Sequence, residues 1–148
     1  MRLLLDTGIL SSLCHPSDAQ SKAILDWAGN AVAQGNEIIV PEISDYELRR
    51  KLIHLNRKGQ SKQRSIERLD EIGKFFDYLP LDTDTMLRAA ELWADARLRG
   101  RPTAPDQSLD GDVILAAQAL GVNGIVVTNN RKHLSQFVQS IGWEDIKL

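Results

Sequence analysis

The sequence predicts an α/β protein, a sandwich of helices around a parallel sheet. Two observations predict it. Short apolar runs alternate with helical segments in the order strand, helices, strand, helices, strand, helix, helix, strand, the order of a parallel sheet with crossover helices. Three of the runs, 2–6 (RLLLD), 37–40 (EIIV) and 124–128 (GIVVT), are nearly continuous in apolar residues. Strands buried on both faces read this way, whereas a half-exposed strand alternates. At 148 residues the chain is long enough for one proper core, and residues 1–148 are read as a single domain.

The elements follow in order. The first strand, 2–6, ends on a carboxylate, Asp6. A helix is predicted over 17–34, where Ala19, Ala23, Ile24, Trp27 and Ala31 recur at roughly helical spacing. After the second strand, 37–40, segments 43–55 and 61–76 form a helical hairpin broken at RKGQS, with Gly59 as the stop. A third strand is expected at 77–79. The helix over 83–98 carries Met86, Leu87, Ala90, Trp93 and Ala94, and ends before a loop, 99–111, rich in Pro, Gly and polar residues. A short apolar helix, 112–120, is stopped by Gly121, and the strand 124–128 follows. A weaker candidate for an edge strand is 143–147.

Composition narrows the function. The chain is 43% apolar and 26% charged, as in soluble globular proteins. It has no run long enough to span a bilayer and no signal-type N-terminal segment. The single cysteine, Cys14, can form neither an intramolecular disulfide nor a cysteine-based zinc site. A cytoplasmic protein is expected. His15, His54 and His133 lack zinc-ligand spacing and are read as surface or packing residues. Trp27, Trp93 and Trp143 are read as core rather than as base-stacking residues. The net charge is -2, so the whole molecule does not advertise nucleic-acid binding. Its distribution is uneven: between Glu47 and Arg68 eight Lys/Arg face only two acids. A basic region beside an acidic one suits an enzyme that holds a polyanion and works through metal ions; a solvated pair of helices explains the charges equally well.

Ligands of open parallel sheets bind at the carboxyl ends of the strands. Asp6 lies at such an end, as do Thr128, Asn129 and Asn130. Asp6 alone also reads as an N-cap for TGILSSL. Glu42, Asp45 and Glu47 follow the second strand. Glu47 lies near the apolar stripe of its helix, where a carboxylate is costly unless paired or metal-bound; an ion pair with Lys51 at i+4 is the plain alternative. Asp110 and Asp112 open the helix VILAAQAL, where capping and the helix dipole also account for them. Acids from separate parts of the chain, gathered in one cleft, need counter-charge. Carboxylate and water oxygens are hard ligands suited to Mg²⁺ or Mn²⁺. Such ions beside a basic surface point to phosphodiester hydrolysis.

Four segments, LLLDTGIL, ISDYELRR, DGDVILAAQAL and VVTNNRKHL, together resemble a PIN domain, and most of all the VapC-like toxin ribonucleases of bacterial toxin–antitoxin modules. The resemblance spans nearly the whole chain, in the family's order. It implies a three-layer α/β/α sandwich with a central parallel sheet, and an Mg²⁺- or Mn²⁺-dependent endoribonuclease leaving 5′-phosphate and 3′-hydroxyl ends. Carried over position by position, it implies metal-holding acids at Asp6, Glu47 and Asp112 and a fourth catalytic position at Asn130. Asp110 is an auxiliary acid, and Thr7 and Thr128 are hydroxyls that hold the acids or a water. Arg49, Arg50, Arg57, Lys58, Arg131 and Lys132 are assigned to RNA. Gly8 and the long basic hairpin depart from the family pattern. A toxin of this kind has RNA as substrate, an antitoxin whose peptide lies over the acids, and a homodimer as a common assembly. The alternative is a PIN fold that binds nucleic acid or protein without cutting. Two other strand-end aspartate enzymes fit less well: a signalling receiver needs an early acidic pair and a late lysine, and an aspartyl phosphatase needs a second Asp where Gly8 stands.

Overall fold

The computed structural model describes residues 1–15, 17–105 and 110–148. Among them the chain forms β1 (Arg2–Leu5), α1 (Thr7–Cys14), α2 (Ala19–Ala33), β2 (Glu37–Pro41), α3 (Glu42–Arg57), α4 (Gln63–Phe75), β3 (Asp77–Leu79), α5 (Thr83–Leu98), α6 (Gly111–Gly121), β4 (Ile125–Val127), α7 (Arg131–Leu134) and β5 (Ser140–Ile141), with a closing 3₁₀ turn at Trp143–Asp145. Part of the predicted loop 99–111 lies outside the described residues.

The five strands form one sheet in the order β3-β2-β1-β4-β5, every pair parallel. Leu3 and Leu5 of β1 join a core with Ile9, Leu13, Ile24, Leu48 and Leu69. Leu4 points the other way, into a second core with Ile114, Ala117, Val126 and Leu134. This alternation at a period of two places α1–α4 on one face and α5–α7 on the other. The result is the expected three-layer α/β/α sandwich. Leu3, Leu4 and Leu5 are fully buried, and each contributes roughly 1.5–3 kcal/mol of hydrophobic stabilisation.

The chain winds from β1 outward to β2 and β3, then returns past β1 to add β4 and β5. The reversal falls between β1 and β4, whose carboxyl ends carry Asp6 and Thr128. A topological switch point of this kind opens a crevice for ligands.

Local chemistry sets the helix ends. Asp18, Asp82 and Asp110 each cap a helix by accepting a backbone N–H from Ser21, Thr85 and Val113. Pro41 ends β2 and serves as N-cap of α3. Gly59, at φ 91°, makes the left-handed turn that stops α3.

Two expectations change. The predicted edge strand 143–147 is the 3₁₀ turn, because Asp145 N–H bonds to Gly142 O and Trp143 packs edge-on against Trp27; the fifth strand is the two-residue β5. Gly121 stays in α6, and the left-handed turn after it is made by Asn123 at φ 56°. The segment after Asp6 is a helix, α1, capped by Asp6 as the sequence allowed. Among the described residues no helix is long and apolar enough to cross a membrane.

Candidate active site

The adjacency of β1 and β4 brings the first acids together. Asp6 Oδ1 accepts the Thr7 N–H at 2.7 Å, and its Oδ2 accepts the Thr128 hydroxyl at 2.6 Å. Asp6 therefore serves as the cap its sequence suggested and still stands at the sheet rim. Thr128 is fully buried, and its hydroxyl oxygen accepts the Asn130 N–H at 2.9 Å. One buried hydroxyl thus ties the acid at the end of β1 to the turn after β4. The Asn130 side chain is exposed and caps nothing.

Glu47 reaches the same rim from α3. Its Oε1 accepts the Thr7 hydroxyl at 3.1 Å, so Thr7 links Glu47 to the start of α1. The carboxylate also lies flat on Gly111, the first residue of α6: a Cβ there would stand 2.6 Å from Oε2 and 2.7 Å from Cδ. The closeness of α3 and α6 has a buried cause. Gln118 of α6 accepts the Ile43 N–H at 3.4 Å and donates to Leu79 O at 2.9 Å, fastening α6 to the start of α3 and the end of β3.

Asp110 and Asp112 stand on either side of Gly111. Asp110 is 6% exposed; it caps α6 and accepts the Thr103 hydroxyl at 2.6 Å. Asp112 is half-buried, with its Oδ2 3.5 Å from His133 Nδ1. His133, read from the sequence as a surface or packing residue, is at the surface and beside an acid. Thr103, Gly111 and His133 are neighbours of the acids that the sequence did not single out as site residues. Asp-Gly-Asp at the head of a helix was the available signal for Gly111.

The acids feel one another. Burial holds the Glu47 carboxyl above its ordinary pKa; the Thr7 hydroxyl opposes this, and the charges of Asp6 and Asp112 add to it. Asp112 is likewise raised, by burial first and then by Asp6 and Asp110, with His133 pulling the other way. Unneutralised negative charge is therefore concentrated where β1, α3 and α6 meet.

Whether these groups suit a cation is a question of donors. They are carboxylate and hydroxyl oxygens, the hard set that Mg²⁺ and Mn²⁺ take, and their mutual repulsion is relieved by positive charge. Among the described residues, no three His, Cys, Asp or Glu side chains already form a ready-made metal cage. Both Asp6 oxygens and Glu47 Oε1 instead accept hydrogen bonds from the threonine hydroxyls and the Thr7 amide.

The other acids and the cations divide. Glu42 and Asp45 serve the opposite side of α3: Glu42 accepts the Leu81 N–H, and Asp45 accepts the Tyr78 hydroxyl at 3.0 Å and pairs with Arg49 at 2.8 Å. Arg49, assigned to RNA from the sequence, also bonds Asp70 at 2.7 Å, so its charge is met internally. Arg50 lies over the Tyr46 ring and acts on Glu47 at a distance. Arg57 and Lys58 are exposed at the hairpin tip; Arg57, ten residues beyond Glu47 on α3, is about 15 Å along the axis from it. Arg131 stands 3.5 Å from Asp145, and Lys132 is exposed. The expected Glu47–Lys51 alternative is replaced by the Thr7 contact. Cys14 is buried, and burial pushes its thiol up to about 12, so it is inert.

Comparison with known proteins places the fold. A family model for the PIN domain matches residues 3–137. Among solved structures, the VapBC2 complex of Rickettsia felis bound to a promoter DNA fragment contains a similar chain, with a TM-score of 0.74 and 19% identity over 97% of this chain and 99% of that one. FitAcB of Neisseria gonorrhoeae gives 0.73 and 21%, over 97% and 99%. VapC20 of Mycobacterium tuberculosis, described as a sarcin-ricin loop cleaving toxin, gives 0.61 and 11%, over 92% and 95%. At these identities the likeness is one of fold. No curated protein matches the sequence.

Proposed function

The chain belongs to the PIN domain family, and from that premise we propose that it is a metal-dependent endoribonuclease acting as a single domain over 1–148. The observation that carries the reading is the convergence of Asp6, Glu47 and Asp112 from β1, α3 and α6, each raising or sharing the others' electrostatic burden. These three would hold Mg²⁺ or Mn²⁺, with Asp110 beside them. When bound, such a cation makes hydroxide available near neutral pH and offsets charge on the phosphate.

The chain's own part is positioning. Thr128 fixes Asp6 through its 2.6 Å bond, and Thr7 fixes Glu47. Asn130, on the turn that Thr128 restrains, presents an amide at the open side of the crevice. Arg50, Arg57, Lys58, Arg131 and Lys132 hold flanking phosphates. Such contacts set the strand's position without reading bases. Arg49 has no such role while Asp45 and Asp70 hold it.

Partners follow from the structural relatives, which include DNA-bound VapBC complexes and a toxin–antitoxin complex from Klebsiella pneumoniae. An antitoxin peptide covering the acids, a homodimer and a cytoplasmic setting complete the proposal. A second reading, a PIN module that binds without cutting, is favoured by one observation: among the described residues the acids form no ready-made cage, and both Asp6 oxygens and Glu47 Oε1 already accept hydrogen bonds. Metal titration against labelled RNA separates the two. The nuclease reading expects cleavage that rises with Mn²⁺ and is lost in Asp112→Asn. Full metal-dependent cleavage by Asp112→Asn would remove that residue from the site, and binding without cleavage at any metal concentration would favour the module.

A further inference from the structure

Beside the acids lies a cavity of about 450 Å³, lined by Arg101, Thr103, Lys132, His133, Ser135 and Gln136 with Pro102. It shares a wall with the candidate site. Thr103 donates to Asp110 at 2.6 Å from one side, and His133 stands 3.5 Å from Asp112 on the other. Among the described residues no carboxylate lines it. In a chain of net charge -2, a concave surface with two cationic side chains beside the Ser135 hydroxyl and the Gln136 amide is a local inversion of sign.

The two cations differ from their neighbours. Arg49 is paired with Asp45 and Asp70, Arg68 donates to Leu13 O, and Arg131 faces Asp145. Arg101 and Lys132 are exposed, and no side-chain hydrogen bond or ion pair joins either to another described residue. They come from different segments, the loop after α5 and α7, and meet only at this cavity. Cations left unpaired in a concavity are positioned for an anion from outside.

We propose that this cavity is a phosphate subsite, taking the RNA backbone phosphate adjacent to the one that is cut, with Arg101 and Lys132 as its charge. The proposal rests on the nuclease reading and gives that site a strand path: one phosphate at the acids, the next across the Thr103–His133 wall. A cation pocket abutting an acid cluster holds the substrate's charge where no metal is needed and leaves the acids to the phosphate that reacts.

The test measures binding of a short mixed-sequence single-stranded RNA in EDTA across a series of KCl concentrations, with cleavage in Mn²⁺ followed in parallel. Arg101→Ala and Lys132→Ala should each weaken binding about tenfold, the scale of a hydrogen bond to a charged group. Each should also flatten the dependence of log K on log salt by about 0.7, one released counterion contact on a single strand. Arg101→Lys should keep the salt slope, and Lys22→Ala on α2 should change neither quantity. Wild-type affinity and slope in both alanine variants, or no binding by the unaltered protein, overturns the subsite. If the variants lose affinity but no protein ever cleaves, phosphate binding at the cavity stands, and its place beside a cut phosphate falls with the nuclease reading. If the protein cleaves and the variants bind and cut as well as it does, the nuclease reading stands and the subsite falls.

Discussion

Gly111→Ala separates the geometry of the site from the stability of the fold. The new Cβ would lie 2.6 Å from Glu47 Oε2, whereas ordinary contact begins at 3.4 Å, so the carboxylate must withdraw by about 0.8 Å. The obstacle is the end of a flexible side chain, and Glu47 is only half-buried, so the withdrawal costs the fold little. Replacing glycine in a helix by alanine returns up to about 1 kcal/mol, less at the first helical position. The two effects nearly cancel, and unfolding should move by less than about 1 kcal/mol. Catalysis should not be spared, since displacement on the order of 1 Å costs about 10²-fold in rate, and the 3.1 Å bond from Thr7 to Glu47 would be strained as well. Denaturant unfolding and RNA cleavage in Mn²⁺ measure both. Gly8→Ala is the matched control, because a Cβ there meets nothing within 4 Å and both properties should stay near wild type. A folded Gly111→Ala protein that cleaves at the wild-type rate would refute the placement of Glu47 in the reaction.

Three further outcomes are expected. Gly124→Ala should destabilise the protein by about 1–3 kcal/mol in denaturant melts, since its Cβ would press on Leu4 Cδ1 and lie 3.2 Å from Arg2 O, a buried and unyielding contact. Thr128→Val keeps the shape but leaves Asp6 Oδ2 and the Asn130 N–H without their shared hydroxyl; cleavage should fall by about 10–100-fold, the usual effect of losing a group that orients a ligand. Glu47→Gln should be more stable than wild type in EDTA at neutral pH. The folded-state pKa of Glu47 is raised, so the folded chain binds more protons in the window just above the ordinary carboxylate range; its stability falls as pH rises through that window and stays lower above it. Melting curves should show the variant's advantage vanish toward acid pH and reverse when Mn²⁺ stabilises only the wild type.

What the sequence revealed and what it hid have physical causes. Leu3, Leu4 and Leu5 were legible as a strand because both faces are covered, which leaves no polar residue to disguise the run. Asp6, Asp110 and Asp112 stood out because capping and ligand positions coincide at strand-to-helix turns. The elements α7 and β5 were missed because four and two residues carry no periodicity. Arg49 looked like its basic neighbours, although Asp45 four residues earlier was a visible sign that it is paired within α3; its second partner, Asp70, depends on how α3 meets α4. The fit of Glu47 onto Gly111 depends on helix packing that Gln118 enforces, and no local pattern encodes it. The pocket of Arg101 and Lys132 joins a loop and a short helix, α7, distant in sequence.

The central claim is that the acids at the carboxyl ends of the strands make this PIN domain a nuclease. The most direct measurement is cleavage of a mixed RNA pool by the purified protein in Mn²⁺, in Mg²⁺ and in EDTA, beside Asp6→Asn. Asparagine is also a good N-cap, so the variant should fold. Cleavage that requires a divalent ion and disappears in Asp6→Asn is the predicted result. Cleavage that persists in EDTA, or in Asp6→Asn, would contradict the account, as would intact RNA under every condition.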